Sequence, residues 1–161
     1  MASNDFLVVY LNDHLAGATS GSELAQKISA ENAGSPLGTF LSELARDIEQ
    51  DRTTLEGVMD QLKIEKSPAK QAAGWIMEKL SRLKLSETLT GSADLKRLLE
   101  FETLSLGIEG KRAMWRALQE TTDHYSELAT VDLAGLAKRA EDQRAALEDH
   151  RLEMATKALT G

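Results

Sequence analysis

The chain has 161 residues, a net charge of -7, and no cysteine. Its length suits one domain with a full core, so a single helical-bundle domain over 1–161 is expected. An acidic surface disfavours nucleic acid and anionic membranes as partners, because both require basic residues. The absence of cysteine excludes disulfides, thiolate metal sites and thiol nucleophiles, and it suits a reducing cytoplasm.

The first predicted helix runs from about Asp5 to Ala30 and the second from Ser35-Pro36 to about Leu62. In both Ser35-Pro36 and Ser67-Pro68 a serine can cap a helix whose first residue is proline. The second Ser-Pro pair therefore predicts a third, shorter helix that ends near Leu85. Residues 86–91 read as a loop. The apolar run of residues 6–11 is too short to span a bilayer and lacks a basic flank, so it does not predict a signal peptide.

A fourth helix is predicted from about Ala93 to Tyr125 and a fifth from about Asp132 to Leu159. The short connections make the first and second helices an antiparallel pair, and likewise the fourth and fifth. A connection that contains its own helix joins the two pairs. This order predicts an all-α fold: a ferritin-like four-helix bundle of two antiparallel hairpins with an extra short helix in the crossover.

Two stretches carry a resemblance to a known family. Residues 10–24, YLNDHLAGATSGSEL, are similar to the first helix of uncharacterised bacterial proteins of the ferritin-like superfamily, and residues 109–118, EGKRAMWRAL, resemble their fourth helix. The resemblance implies the bundle fold, but its motifs imply no chemistry for this chain. The usual ferritin-like di-metal site needs two Glu-x-x-His motifs. None occurs here, because Leu11, Thr121 and Leu147 stand three residues before the histidines.

Charged residues interrupt the apolar stripes of the predicted helices. Glu102 and Glu109 lie seven residues apart on the fourth helix, and Arg144 and Arg151 lie seven apart on the fifth. In an antiparallel hairpin that turns near residues 126–127, Glu102 meets Arg151 and Glu109 meets Arg144. The candidate site is a central charged network, whose remaining members are expected to be Asp51, Arg112, Arg116 and His14.

Three interpretations of this network stay open, because buried charges are costly unless they are paired. The arginines could neutralise the carboxylates that metals would otherwise bridge, which predicts no cofactor. The same acids could instead bind iron, another divalent metal or a small ligand. The charges could also lie at a rim exposed to water. If the pairs are buried, Arg144→Ala should cost roughly 3 kcal/mol.

Three other features have both a structural and a functional interpretation. His14 could be a metal ligand or general base, or a buried neutral imidazole. Gly17 and Gly21 could allow another helix to approach closely, or could open the backbone to a ligand. Trp115 is expected in the core, whereas Trp75 is expected at an interface, so the chain is predicted to form a homodimer.

No nucleophile constellation, phosphate loop or zinc motif appears in the sequence. The chain is therefore expected to be a non-catalytic bundle that acts through its surface, as an oligomer or on an unknown protein partner. The alternative function is metal or small-ligand binding at the central carboxylates.

Overall fold

The computed structural model describes residues 2–67 and 91–161 and, for residues 2–5, the backbone alone. These ranges contain four long helices and no strand: α1 (Ala2–Glu31), α2 (Pro36–Gln61), α3 (Ala93–Gln119) and α4 (Leu133–Thr160). A 3-10 helix, Ser126–Thr130, precedes α4. The prediction of an all-α bundle is confirmed. The third predicted helix, the loop after it and Trp75 lie outside the described residues.

The helix starts follow the sequence signals closely. Ser35 caps α2 by accepting a hydrogen bond from the backbone N–H of Gly38 at 3.0 Å, and Asp132 caps α4 in the same way. Gly38 is required at its position, because a Cβ there would lie 1.9 Å from the carbonyl oxygen of Asn32. The turn between α1 and α2 can therefore stay tight.

One predicted boundary was wrong by several residues, since α3 ends at Gln119 rather than near Tyr125. Thr121 and Thr122 turn their hydroxyls back onto the carbonyls of Leu118 and Gln119. Threonine loses rotamer freedom in a helix, and its hydroxyl competes for backbone groups. The helix therefore ends before Tyr125.

The helix directions follow from contacts between their ends. Lys27 and Glu31, at the end of α1, pair with residues near the start of α3, so these two helices are antiparallel. Ser67, just after α2, donates to Asn12 near the start of α1. Residues 67 and 91 therefore lie at opposite ends of the bundle, and α2 and α3 run in the same direction.

Two buried clusters fill the bundle along its length, and both draw residues from all four helices. Phe101, Leu41 and Leu147 belong to the cluster nearer the start of α3. Trp115, Leu11 and Met59 belong to the other, and Trp115 is fully buried as predicted. Among the helices described, none is both long and apolar enough to cross a membrane.

Candidate functional site

Asp51 on α2 is the charged residue buried at the centre of the bundle, and three side chains hold it. Lys111 of α3 donates to Asp51 Oδ2 at 2.6 Å, and Gln143 of α4 donates to the same oxygen at 2.9 Å. Arg139 Nε lies 3.1 Å from Oδ1 but is not aligned for a hydrogen bond. We refer to these four residues as the Asp51 cluster. It links α2, α3 and α4.

Lys111 and Gln143 also contact each other, since the lysine ammonium donates to the amide oxygen of Gln143 at 2.6 Å. Burial lowers the pKa of Lys111, and the Asp51 carboxylate offsets part of that shift. Both oxygens of Asp51 face donors of the protein: Oδ2 faces Lys111 and Gln143, and Oδ1 faces Arg139. A carboxylate held in this way has its lone pairs directed at protein groups instead of at an added ion.

The two ion pairs expected from the matched spacings are present, but they lie at a rim. Arg144 donates to Glu109 at 2.9 Å, and Arg151 donates to Glu102 at 3.2 Å. Of the three interpretations, the rim exposed to water fits these pairs, because half of the Arg144 side chain and 43% of that of Glu102 are exposed to solvent. They join α3 to α4 on the outside of the hairpin.

Two arginines expected in the central network do not reach Asp51. Arg112 pairs with Glu109 one turn earlier on its own helix. Arg116 is exposed and forms no ion pair with the residues described. The groups that sequence reasoning missed are Lys111, Gln143 and Arg139. Lys111 lies on the face of α3 opposite its apolar stripe, so a helical wheel predicts that it is exposed to solvent.

A second buried acid was missed for the same reason. Glu100 is fully buried, although it lies on the same face of α3 as Lys111, opposite the apolar stripe. Arg97 donates to it at 2.7 Å, and Lys27 of α1 lies 3.4 Å away. α3 packs against α1 as well as α4, so a side chain off its apolar stripe can still be buried. The desolvation cost of burying Asp51 and Glu100 is offset because each carboxylate lies beside a lysine or an arginine.

A cavity of about 290 Å³ lies beside the Asp51 cluster, where α1, α2 and α3 meet. We refer to it as the α1–α3 cavity. Its lining includes Asp51, Lys111 and His14, together with glycines of α1 and α3. Most of the lining surface is apolar. Leu106, which is half exposed, also lies in the lining.

His14 lies in this lining, partly buried, with its ring edge-on to Tyr10 at a centroid distance of 4.6 Å. Burial lowers its pKa from 6.5, and nearby Asp13 offsets part of that shift. Burial therefore favours the neutral form of the imidazole. In the described ranges, no group of three or more His, Cys, Asp or Glu residues is arranged to hold a metal ion.

Comparisons with models of protein families, with curated proteins and with solved structures found no match to this chain.

The buried and exposed ion pairs should differ sharply in their effect on stability. Replacing Asp51 with leucine leaves Lys111 buried without its anion and should reduce the free energy of unfolding by roughly 3 kcal/mol or more. Arg144→Ala, which breaks a half-exposed pair, should cost less than about 1 kcal/mol. Urea unfolding of both variants measures the difference. Equal costs would contradict the assignment of Asp51 as the central charge.

A partly exposed acid on α2 should make stability depend on acidic pH. Hydrogen bonds from Arg52 and then Ser22 lower the pKa of Glu49 from 4.5 to about 2. Because the pKa of Glu49 is lower in the folded state than in the unfolded state, Glu49 stabilises the fold when the pH is above its unfolded pKa. That stability is lost as the pH falls from about 4.5 to about 2. Because the Glu49 side chain is 38% exposed, the effect should stay below about 1 kcal/mol.

Urea unfolding between about pH 5 and about pH 2 tests this linkage. Glu49→Gln should destabilise the protein at the upper end of the range, and the difference from wild type should vanish towards the lower end. Glu43→Gln is the matched control on the same helix, since Glu43 is exposed and has no ion pair in the part of the chain described. A constant difference for Glu49→Gln across the range would argue against the linkage.

Proposed function

We propose that this chain is a non-catalytic bundle of ferritin-like topology, in which protein cations and amides occupy the place that metals hold in ferritin-like enzymes. One observation carries the proposal. The central carboxylate, Asp51, is buried and has both oxygens within 3.1 Å of a lysine, a glutamine or an arginine. Bridging metals would have to displace these donors and leave the cations buried without an anion, which is costly.

The helix directions support the ferritin-like part of the proposal. α1 and α2 form one antiparallel pair and α3 and α4 another, while α2 and α3 run in the same direction. Residues 67 and 91 lie at opposite ends of the bundle. Two hairpins joined by one long crossover are the arrangement typical of ferritin-like folds. The resemblance of residues 10–24 and 109–118 to proteins of that superfamily points the same way.

Iron oxidation tests the proposal that the bundle is non-catalytic. Addition of ferrous iron in air should give no saturable ferroxidase absorbance beyond that of buffer, because the Asp51 carboxylate is already neutralised. Asp51→Asn serves as the control variant, since it removes the carboxylate that a metal would need. A saturable signal in wild type that disappears in Asp51→Asn would refute the proposal and revive iron or another divalent metal as the cofactor.

We also propose that the bundle acts through its surface as a homodimer. Phe6, Val9 and Tyr10 lie on one side of α1, and the first two side chains are 76% and 69% exposed. Large apolar side chains grouped on a surface favour association. Between identical copies, a two-fold axis would place this patch against itself and bury all three residues twice.

Light scattering measures the assembly directly. Wild type should have twice the 17.6 kDa mass of one chain, and Val9→Glu should shift the mass towards the monomer by placing like charges in the interface. Leu159→Glu is the matched control, because Leu159 is also 70% exposed but lies at the end of α4. A wild-type mass of 17.6 kDa at every concentration would contradict the proposal.

A further inference from the structure

Lys111 brings a primary amine to the lining of the α1–α3 cavity. The side chain of a helical residue lies over the turn that precedes it, and the residue one turn before Lys111 is Gly107. A Cβ built on Gly107 would meet no described atom within 4 Å, so no neighbouring side chain fills that position. The Lys111 side chain therefore borders open space instead of being packed on every side.

The ammonium group of Lys111 has one donor that the protein does not use. Of its three N–H groups, one donates to Asp51 Oδ2 and one to Gln143 Oε1, both at 2.6 Å. Among the residues that the structure describes, none accepts the third. Asp51 also lines the cavity, so Lys111 Nζ lies within hydrogen-bond distance of a second group of the same lining.

The surroundings of this amine favour nucleophilic chemistry. Lysine reacts as a nucleophile in its neutral form, which an apolar environment favours. Burial lowers the pKa of Lys111, and the Asp51 carboxylate is placed to accept its proton. Transfer of one proton along this hydrogen bond converts the ion pair into an amine and a carboxylic acid. The pair then has no separated charges, which suits a mainly apolar space.

The cavity has room for a small reaction partner. Its volume of about 290 Å³ is about twice the roughly 150 Å³ of an engineered apolar cavity that takes up benzene. A molecule of about ten non-hydrogen atoms would therefore fit. Leu24 and Met114 offer apolar contacts. The guanidinium of Arg52 is already paired with Glu49 and Glu56, so a charged molecule would find no free counterion there.

We propose that the α1–α3 cavity binds a small, mainly apolar aldehyde and that Lys111 joins it reversibly as an imine. This stoichiometric binding goes beyond the proposed surface function, because it uses the interior of the bundle and needs no second copy of the chain. The amine supplies the bond, Asp51 carries the proton, and the apolar side chains hold the rest of the molecule.

The reaction conserves atoms and charge. Lys111 passes one proton to Asp51, and the amine lone pair attacks the carbonyl carbon, so an N–C bond forms and the π electrons of C=O move to oxygen. A proton moves from nitrogen to that oxygen and gives a carbinolamine. Asp51 then protonates the hydroxyl, the C–O bond breaks, and water leaves. The iminium keeps the single positive charge of the ammonium and one N–H for the Asp51 carboxylate.

Benzaldehyde is a suitable probe, because it is apolar and has no acidic hydrogen beside its carbonyl group. Borohydride reduces any imine to a stable benzyl amine, which peptide mass spectrometry assigns to a residue. Lys138 is the matched control in the same digest, since it also pairs with a carboxylate, that of Asp142, but is 65% exposed. Lys111 should be labelled saturably and at least about tenfold more than Lys138, because binding holds the aldehyde against the amine. Labelling of Lys111 no greater than that of Lys138 would overturn the proposal.

Lys111→Arg tests the amine while keeping a positive charge beside Asp51. Arginine stays protonated and forms no imine under these conditions, so the saturable label should be lost. Circular dichroism shows whether the variant keeps its helices. A saturable label of the same extent in Lys111→Arg would assign the reaction to another amine and contradict the proposal.

A second variant tests the location without touching Lys111. Gly110→Leu adds a side chain to the lining of the cavity and should reduce the labelling of Lys111 at least about tenfold, because it removes the space that positions the aldehyde. Gly57→Leu is the control, since Gly57 is an exposed glycine inside α2 whose Cβ would also meet nothing within 4 Å. It should leave the labelling unchanged. Undiminished labelling in Gly110→Leu would show that the aldehyde reaches Lys111 without the cavity and would overturn the assignment.

Discussion

The buried carboxylate of Asp51 is the interaction that fixes how three of the four helices meet. Its partners come from two other helices, so one charge sets the register of α2 against both α3 and α4. An apolar contact would allow a helix to slide by part of a turn at little cost, whereas a buried carboxylate without its donors would cost several kcal/mol. Buried ion pairs add little net stability, but they do penalise wrong arrangements.

α1 takes no part in the Asp51 cluster and is held differently. At one end, Lys27 and Glu31 of α1 pair with Glu100 and Arg97 of α3. At the other end, Leu11 packs into the cluster around Trp115. Between these two attachments, glycines replace larger side chains on both helices. The α1–α3 cavity is therefore a consequence of contacts concentrated at the ends of the two helices.

Local signals in the sequence predicted the helices well. Ser35-Pro36 and Asp132 marked helix starts to within a residue, because capping depends on nearby atoms alone. The pairing of Glu109 with Arg144 also followed, since a hairpin with a short turn has one register that matches two equal spacings. These inferences needed only the geometry of one helix or of one hairpin.

The members of the Asp51 cluster on α3 and α4 could not be predicted from the geometry of one helix or one hairpin. Lys111 and Glu100 lie off the apolar stripe of α3, so a helical wheel places them in water. Glu100 lies beside Lys27 of α1, and Lys111 reaches Asp51 of α2 and Gln143 of α4. Nothing in the pattern of α3 alone reveals these partners. The glycines on the facing sides of α1 and α3 were the available signal. Glycine at 107 and 110 weakens a helix, so its presence there pointed to a constraint on that face.

The free-energy cost of these glycines can be compared with the total stability of a small domain. Three glycines inside helices cost up to about 1 kcal/mol each relative to alanine. Small domains are stable by only about 5–15 kcal/mol in total. The glycines therefore lower the stability of α1 and α3 where these helices border the α1–α3 cavity. The exposed glycine at position 57 adds a cost of the same kind, but it is not part of the lining of this cavity. Glycines of two helices beside one largely apolar space set the α1–α3 cavity apart.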